Sequence, residues 1–299
     1  MMQLLSIVEE TGKWPVAMIS GFTTLIPKTT EPPATPLELR PITVLSALYR
    51  VWGRLRAQQL NKLWQEVWCH DGMWGGRSGR GPEPVIFEVM ADLEKSTNST
   101  FVAGLSFDLV KAFDRVPRNV LAYILRKMKM PVQVLTPYLG MLHMASRRYK
   151  LGIYLDKECP LYGGILQGCP LSMVAMNAVV HIWLSAINEQ CPTCRPRSYV
   201  DDVSITAISG EKAALTMEIR EAFHISDDFV QSIGGELNKK KSFTFGHMCV
   251  AGAINDNLSH SNTFRLLGGS IVFRDSDKLN PTQLEKERMK SWTKTVLRV

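Results

Sequence analysis

Two acidic sites stand out because apolar residues surround them. Asp108 closes the run Phe101–Phe107 inside Ser106-Phe-Asp-Leu-Val-Lys-Ala-Phe-Asp114. A carboxylate in such surroundings is costly unless it is paired or bound to a cation. Asp201 and Asp202 follow Tyr199-Val200 and lead into Val203 and Ile205. Neighbouring residues on a strand point to opposite faces, so these two cannot both be core residues. Carboxylates gathered from neighbouring strands suit phosphoryl transfer by a pair of divalent ions. Mg²⁺ takes oxygen ligands and keeps substrate phosphates in its shell. The plainer alternative is a strand-end Asp and an Asp-Asp turn.

The elements that must position these groups can be read from hydrophobic periodicity. Phe101–Phe107 is a short strand, and Ser198–Ala207 a hairpin with Asp201 and Asp202 at or near its tip. Phe22–Ile26 is β-like, and Thr29–Pro36, rich in Thr and Pro, is a loop. Val44–Trp68 is a helix with Leu48, Val51, Trp52, Leu55, Leu60 and Leu63 at helical spacing. Its other positions carry Arg50, Arg54, Arg56 and Lys62, a basic face. Gly72–Pro84 is a loop, and Val85–Glu94 and Pro117–Met128 are helical. Tyr149–Leu155 reads as one strand with Leu151, Ile153 and Leu155 alternating. After a loop, Leu161–Gly168, Pro170 sits where a helix can begin, and Leu171–Glu189 is that helix. Glu211–Ile233 is another helix, Phe243–Phe245 and Arg265–Phe273 are strands, and Pro281–Val299 is helical. The order is α+β, not a regular βα alternation.

Composition narrows the classes. The 299 residues are 45% hydrophobic, enough for one large domain or two subdomains. A net charge of +7 and a pI near 9.1 fit a polyanionic partner, since Lys and Arg at phosphates release counterions. Six cysteines are too few for a disulfide scaffold. Cys191-Pro-Thr-Cys194 reads as a turn between a helix and a strand, because a metal knuckle needs a further ligand pair nearby. The start has no basic n-region. The longest apolar stretch, Met173–Ile187, is interrupted by Asn177, His181 and Ser185, which argues against a membrane span. A soluble intracellular protein is expected, with nucleus or cytoplasm left open.

Phe107–Asp114, Gly164-Ile-Leu-Gln-Gly-Cys-Pro-Leu-Ser172 and Tyr199-Val-Asp-Asp202 follow one another in that order. These segments resemble motifs of reverse transcriptases, in the style of non-LTR, LINE-like retrotransposons. Leu25-Ile-Pro-Lys28 and Arg40-Pro-Ile42 look like fingers motifs. Gly235–Ser242 and Leu266–Gly269 look like late palm motifs. Gly76-Arg77 lacks the Phe that the family places between Gly and Arg.

The resemblance implies a polymerase right hand with an antiparallel palm sheet and a thumb that is absent or only begun. Residues 1–100 would be the N-terminal part of the fingers, 101–118 palm, 119–162 a fingers insertion, 163–276 palm, and 277–299 the start of a thumb helix. Asp108, Asp201 and Asp202 would hold two Mg²⁺ ions, with Mn²⁺ as an alternative. Phe113 would be a steric gate against the ribose 2′-hydroxyl. Lys28, Arg40, Gln167, Gly168 and Lys241 would contact the nucleotide, and Leu267, Gly268 and Gly269 the primer. Expected partners are an RNA template, a DNA primer and dNTPs, with no membrane. An RNA-dependent RNA polymerase would place a second carboxylate near Phe113, whereas here it falls at Asp114. A group II intron maturase would add a splicing domain. A decayed, non-catalytic nucleic-acid-binding remnant is the alternative from another class.

Overall fold

The structure is a computed structural model that describes residues 2–28, 30–35, 38–247 and 258–273. In chain order it begins with helices α1 (Met2–Thr11) and α2 (Val16–Ile19), then strands β1 (Ser20–Pro27) and β2 (Leu39–Val44). Helix α3 (Ala47–Leu60) passes through a π-helical turn at Asn61–Gln65 into α4 (Glu66–Trp68). Next come α5 (Glu83–Leu93), β3 (Phe101–Phe107), α6 (Ala112–Arg115), α7 (Arg118–Lys127) and α8 (Val132–Met144). Short strands β4 (Ser146–Leu151), β5 (Tyr154–Leu155) and β6 (Cys159–Pro160) precede the long helix α9 (Ser172–Gln190). The hairpin β7 (Arg195–Tyr199) and β8 (Asp202–Ser209) leads to α10 (Lys212–Ser232) and β9 (Phe243–Gly246). Strands β10 (Ser259–His260), β11 (Thr263–Leu266) and β12 (Gly269–Val272) end the described part. The helix expected at Pro281–Val299 lies outside the described residues, as do Thr29 and Pro36 of the expected loop.

The chain divides into two compact units, residues 1–69 with 111–179 and residues 70–110 with 180–299. In the first, β1 pairs antiparallel with β2 and parallel with β4, and β4 pairs with β5 and β6. An aromatic cluster of Trp14, Tyr49 and Trp52 fills its core. Trp14 donates its indole N–H to the Pro137 carbonyl at 2.7 Å, so the large ring is buried with its polar atom satisfied. Ser46 caps α3 by accepting from the Tyr49 N–H.

Two expectations fail here. The face α3 buries is Tyr49, Trp52, Gly53, Ala57 and Leu60, while Leu48, Val51, Leu55 and Leu63 are exposed. Both faces carry apolar residues, and the one bearing the rings packs because it removes more area from water. The single strand Tyr149–Leu155 is instead the β4–β5 hairpin, turning at Gly152-Ile153, with Leu151, Ile153 and Leu155 exposed.

The second unit centres on a sheet of order β10-β9-β3-β8-β7, antiparallel except for the β9–β10 pair. Helix α5 closes one cluster, in which Val85, Ile86, Val89 and Leu93 meet Val102, Phe245, Phe264, Leu266 and Phe273. Phe107, Trp183 and Phe223 build a second aromatic contact from β3, α9 and α10. The expected strand Arg265–Phe273 is the β11–β12 hairpin. Its turn residues Leu267 and Gly268 both have positive φ, 50° and 91°, as a type I′ turn demands.

Gly104 lies mid-strand in β3, opposite Thr206 and Phe245. A Cβ there would stand 2.2 Å from the Phe245 ring and 2.7 Å from the Ile205 carbonyl. The Gly104→Ala variant is therefore expected to lose about 1–3 kcal/mol by overpacking, despite the better strand propensity of Ala, as urea unfolding would show.

Candidate active site

The three aspartates belong to the second unit and gather at one end of its sheet. Asp108 follows directly on β3, and Phe107 pairs with Val203, next to Asp202. Asp201 is in the two-residue turn between Tyr199 and Asp202, which pair with each other. Val200, the first residue of that turn, has φ of 60° and is 5% exposed. A β-branched residue in this region costs about 1–2 kcal/mol, and burial of its side chain offsets that strain. The tip is thus held by packing.

Asp108 is fixed from the segment after α10. Its Oδ2 accepts from Asn238 Nδ2 at 2.8 Å and lies 3.7 Å from Lys241 Nζ. Its carbonyl accepts the Asn238 N–H at 2.8 Å, and its own N–H donates to Ser242 Oγ at 3.1 Å. Although Asp202 shows surface to solvent, neighbouring strand ends partly desolvate its carboxyl. That desolvation, then the charges of Asp201 and Asp108, push it up to about 6, against a downward pull from Lys241. Like charges held together in this way favour a proton or a cation. The donors are all oxygen, which suits a hard divalent ion.

Among the described residues, the acidic, thiol or imidazole trio whose donor atoms lie within 4.8 Å of one another is Cys191, Cys194 and Glu218. The aspartates are spaced more widely, as donors shared between two ions roughly 3.5–4 Å apart can be.

The other expected nucleotide contacts belong to the first unit. Arg40 lies on β2 opposite Ile26 of β1, and Lys28 follows β1, donating its N–H to the Glu38 carbonyl. The Gln167 carbonyl accepts the Thr43 N–H at 2.9 Å. Gly168 has φ of 109°, and a Cβ there would stand 2.4 Å from the Thr43 carbonyl, so only Gly fits. Phe113 in α6 is half-buried and its carbonyl accepts the Ile165 N–H at 2.8 Å. A cleft of about 460 Å³ that takes in Gly168 is lined also by Thr43, Arg50, Arg54, Gln58 and Asn61. In the second unit, Leu267 and Gly268 form the hairpin turn and Gly269 begins β12 against Ile86.

The family model described as reverse transcriptase (RNA-dependent DNA polymerase) matches residues 26–271. The chain belongs to the reverse transcriptase family. Two curated relatives, both from Drosophila melanogaster, are similar to it. The RNA-directed DNA polymerase from mobile element jockey is 24% identical over 280 residues, covering 87% of this chain and 30% of that protein. The probable RNA-directed DNA polymerase from transposon BS is 27% identical over 165 residues, covering 53% of this chain and 17% of that protein. The chain thus spans less than a third of either relative. These matches bear out the resemblance to mobile-element reverse transcriptases. Among solved structures, telomerase from Candida tropicalis with a fragment of telomeric RNA has a TM-score of 0.61, at 14% identity over 93% of this chain and 48% of that one. Apo telomerase from the same organism, truncated of its C-terminal domain, has a TM-score of 0.59, at 14% identity over 92% of this chain and 57% of that one. The fold is the α+β polymerase right hand. Among the described residues no helix is long and apolar enough to cross a membrane.

In this reverse transcriptase-family chain the sequence reading missed three groups. Asn238 and Ser242 hold Asp108, and only Lys241 of that polar run had been singled out. Polar side chains of hydrogen-bonding type on both sides of a Lys run were the signal. The third is Asp92 of α5, 1% exposed, which binds Arg197 of β7 at 2.7 Å and Thr206 of β8 at 2.6 Å beneath the hairpin. Arg195, Lys95 and, through Arg197, Glu88 extend this network. No periodicity marks a buried ion pair.

The raised Asp202 carboxyl has a consequence for pH. Folding favours its protonated form, so its contribution to stability is present below the ordinary Asp range and lost as pH rises through the raised value. The metal-free protein is expected to lose thermal stability from this group between about pH 4 and about pH 6. A series of melting curves against pH should show that slope in the parent and a flatter one in Asp202→Asn.

Proposed function

We propose that this chain is the catalytic polymerase domain of a retroelement enzyme that copies RNA into DNA. The observation that carries the reading is the meeting of Asp108, Asp201 and Asp202 at one sheet end, with Asp202 held in a carboxylate-rich field. Bound there, two Mg²⁺ ions, or Mn²⁺, would activate the primer 3′-hydroxyl and stabilise the leaving pyrophosphate.

The protein's own groups do the positioning. Asn238 and Ser242 orient Asp108, and the buried Val200 fixes the turn that presents Asp201. Lys28 and Arg40 carry the charge to hold a triphosphate, Arg by a hydrogen-bonding fork and Lys as a point charge. Gln167 and Gly168 offer a polar side chain and an open backbone to the incoming nucleotide. Lys241, ion-paired with Asp108, would offer a cation to a departing pyrophosphate. The Leu267–Gly269 turn grips the primer by its backbone. In this reading residues 101–118 and 163–276 are palm and residues 1–100 and 119–162 fingers, while the stretch 277–299 lies outside the described residues. The partners are an RNA template, a DNA primer and dNTPs.

The test is primer extension on an RNA template with dNTPs and Mg²⁺, beside an Asp201→Ala, Asp202→Ala double variant. Template-dependent DNA synthesis that the double variant abolishes supports the reading. RNA binding in both proteins with synthesis in neither points to a remnant that keeps the fold without the chemistry. Phe113 serves as the gate, because a ring excludes a ribose 2′-hydroxyl sterically. Phe113→Val is accordingly expected to raise rNTP incorporation relative to dNTP by at least tenfold, on the order of 1.4 kcal/mol in discrimination.

A further inference from the structure

Helix α9 ends at Gln190, and Cys191-Pro-Thr-Cys194 turns the chain into β7. The Cys194 N–H donates to the Cys191 carbonyl at 2.9 Å, closing the turn. Both cysteines are buried, at 1% and 3% exposure. Each Sγ lies 4.0 Å from the main-chain oxygen of Glu218 in α10, and Cys194 Sγ lies 4.0 Å from Glu218 Oε2. The three ligand atoms stand within 4.8 Å of one another. With every edge of that triangle at or below 4.8 Å and the Cys194 Sγ–Glu218 Oε2 edge at 4.0 Å, small side-chain shifts bring all three atoms to the roughly 2.0–2.3 Å of zinc–ligand bonds. The spacing of two residues between the cysteines is the one zinc knuckles use. The second ligand source, absent from the nearby sequence, comes from α10.

We infer that Cys191, Cys194 and Glu218 bind a structural zinc ion. Two thiolates and a carboxylate favour zinc over Mg²⁺, which takes oxygen ligands. The fourth position of the tetrahedron falls to water or to Glu221, which lies on the same side of α10 as Glu218. The ion joins the start of β7 to α10. Five residues of β7, roughly 17 Å of strand, separate it from the Val200–Asp201 turn, so it braces the hairpin and takes no part in the reaction.

The experiment measures metal in the purified chain after supply with zinc and gel filtration in excess Mg²⁺. One zinc per chain is expected, absent from the Cys191→Ser, Cys194→Ser variant. Cobalt in place of zinc should give thiolate-to-metal charge-transfer absorption. Glu218→Gln, which leaves the turn intact, should weaken zinc binding at least tenfold and serves if the double variant does not fold. A chelator should lower the parent's Tm by several degrees. Zinc-free parent protein, zinc retained by the double variant, or a mass short by two hydrogens with no metal, marking a Cys191–Cys194 disulfide, would each overturn the inference.

Discussion

Primer extension by the Asp108→Asn variant is expected to fall about 10³-fold or more, while its Tm stays level or rises. On the proposed reading the carboxylate charge would help to hold the ions, and losing several kcal/mol of charge stabilisation in the transition state corresponds to that factor. Asn keeps an oxygen where Asp108 Oδ2 accepts from Asn238, so the local fold survives. It also removes one of the charges that raise Asp202, and the neighbouring carboxyl should move back toward its ordinary range. The ion pair lost to Lys241 is exposed and contributes little. Single-turnover extension with saturating dNTP, run beside a melting curve, separates the two effects. An Asp108→Asn enzyme within tenfold of the parent would remove Asp108 from the metal site.

The second large effect concerns stability. Asp92→Leu leaves the guanidinium of Arg197, 7% exposed, without its closest buried counter-charge. With only the more exposed Glu88 left on Arg197, breaking the buried pair is expected to cost about 3 kcal/mol, a Tm decrease of roughly 10 °C in a unit of this size. The double variant Asp92→Leu, Arg197→Met should recover most of the loss, because an apolar pair of similar volume needs no counter-charge. Arg195 and Lys95 are about half exposed and return to water at small cost. Acid should mimic the single variant. Burial alone would raise the Asp92 carboxyl, but Arg197 and the hydrogen bonds from Thr206, Lys95 and Arg197 outweigh it and lower it to about 2. Its stabilisation is therefore present above the ordinary Asp range and lost as pH falls toward that value. Chemical denaturation at neutral pH, compared across the parent and both variants, would decide; equal losses in the single and double variants would mean that packing, not charge, matters there.

Much of the candidate site's placement was legible because carboxylates at strand ends leave short-range marks in the sequence. Asp108 at the end of an apolar strand and Asp201-Asp202 between two strands could be read from neighbours alone, and the hairpin and α9 followed. What stayed hidden depends on partners distant in the chain. Asn238 acts on Asp108, and Glu218 on the cysteine turn, across stretches with no shared periodicity. The face buried by α3 was misread because apolar residues occupy both sides, and only the ring cluster with Trp14 decides between them. Two hairpins were read as single strands because the turns Gly152-Ile153 and Leu267-Gly268 sit inside apolar runs. Helix α8 carries Pro137 in its interior, a residue that ordinarily argues against a helix.

The order of strands in the second unit also bears on how the protein is made. Strand β3 is flanked by β8 and β9, both of which come much later in the chain. At 5–20 residues per second, the ribosome needs roughly 5–20 s after Phe107 emerges before Val203 exists to pair with it. During that interval an apolar strand with both edges open is a template for other chains. A nascent chain halted before β8 is therefore the species most prone to aggregate and most in need of a chaperone, and a fragment ending there should fail to fold however intact its first unit is.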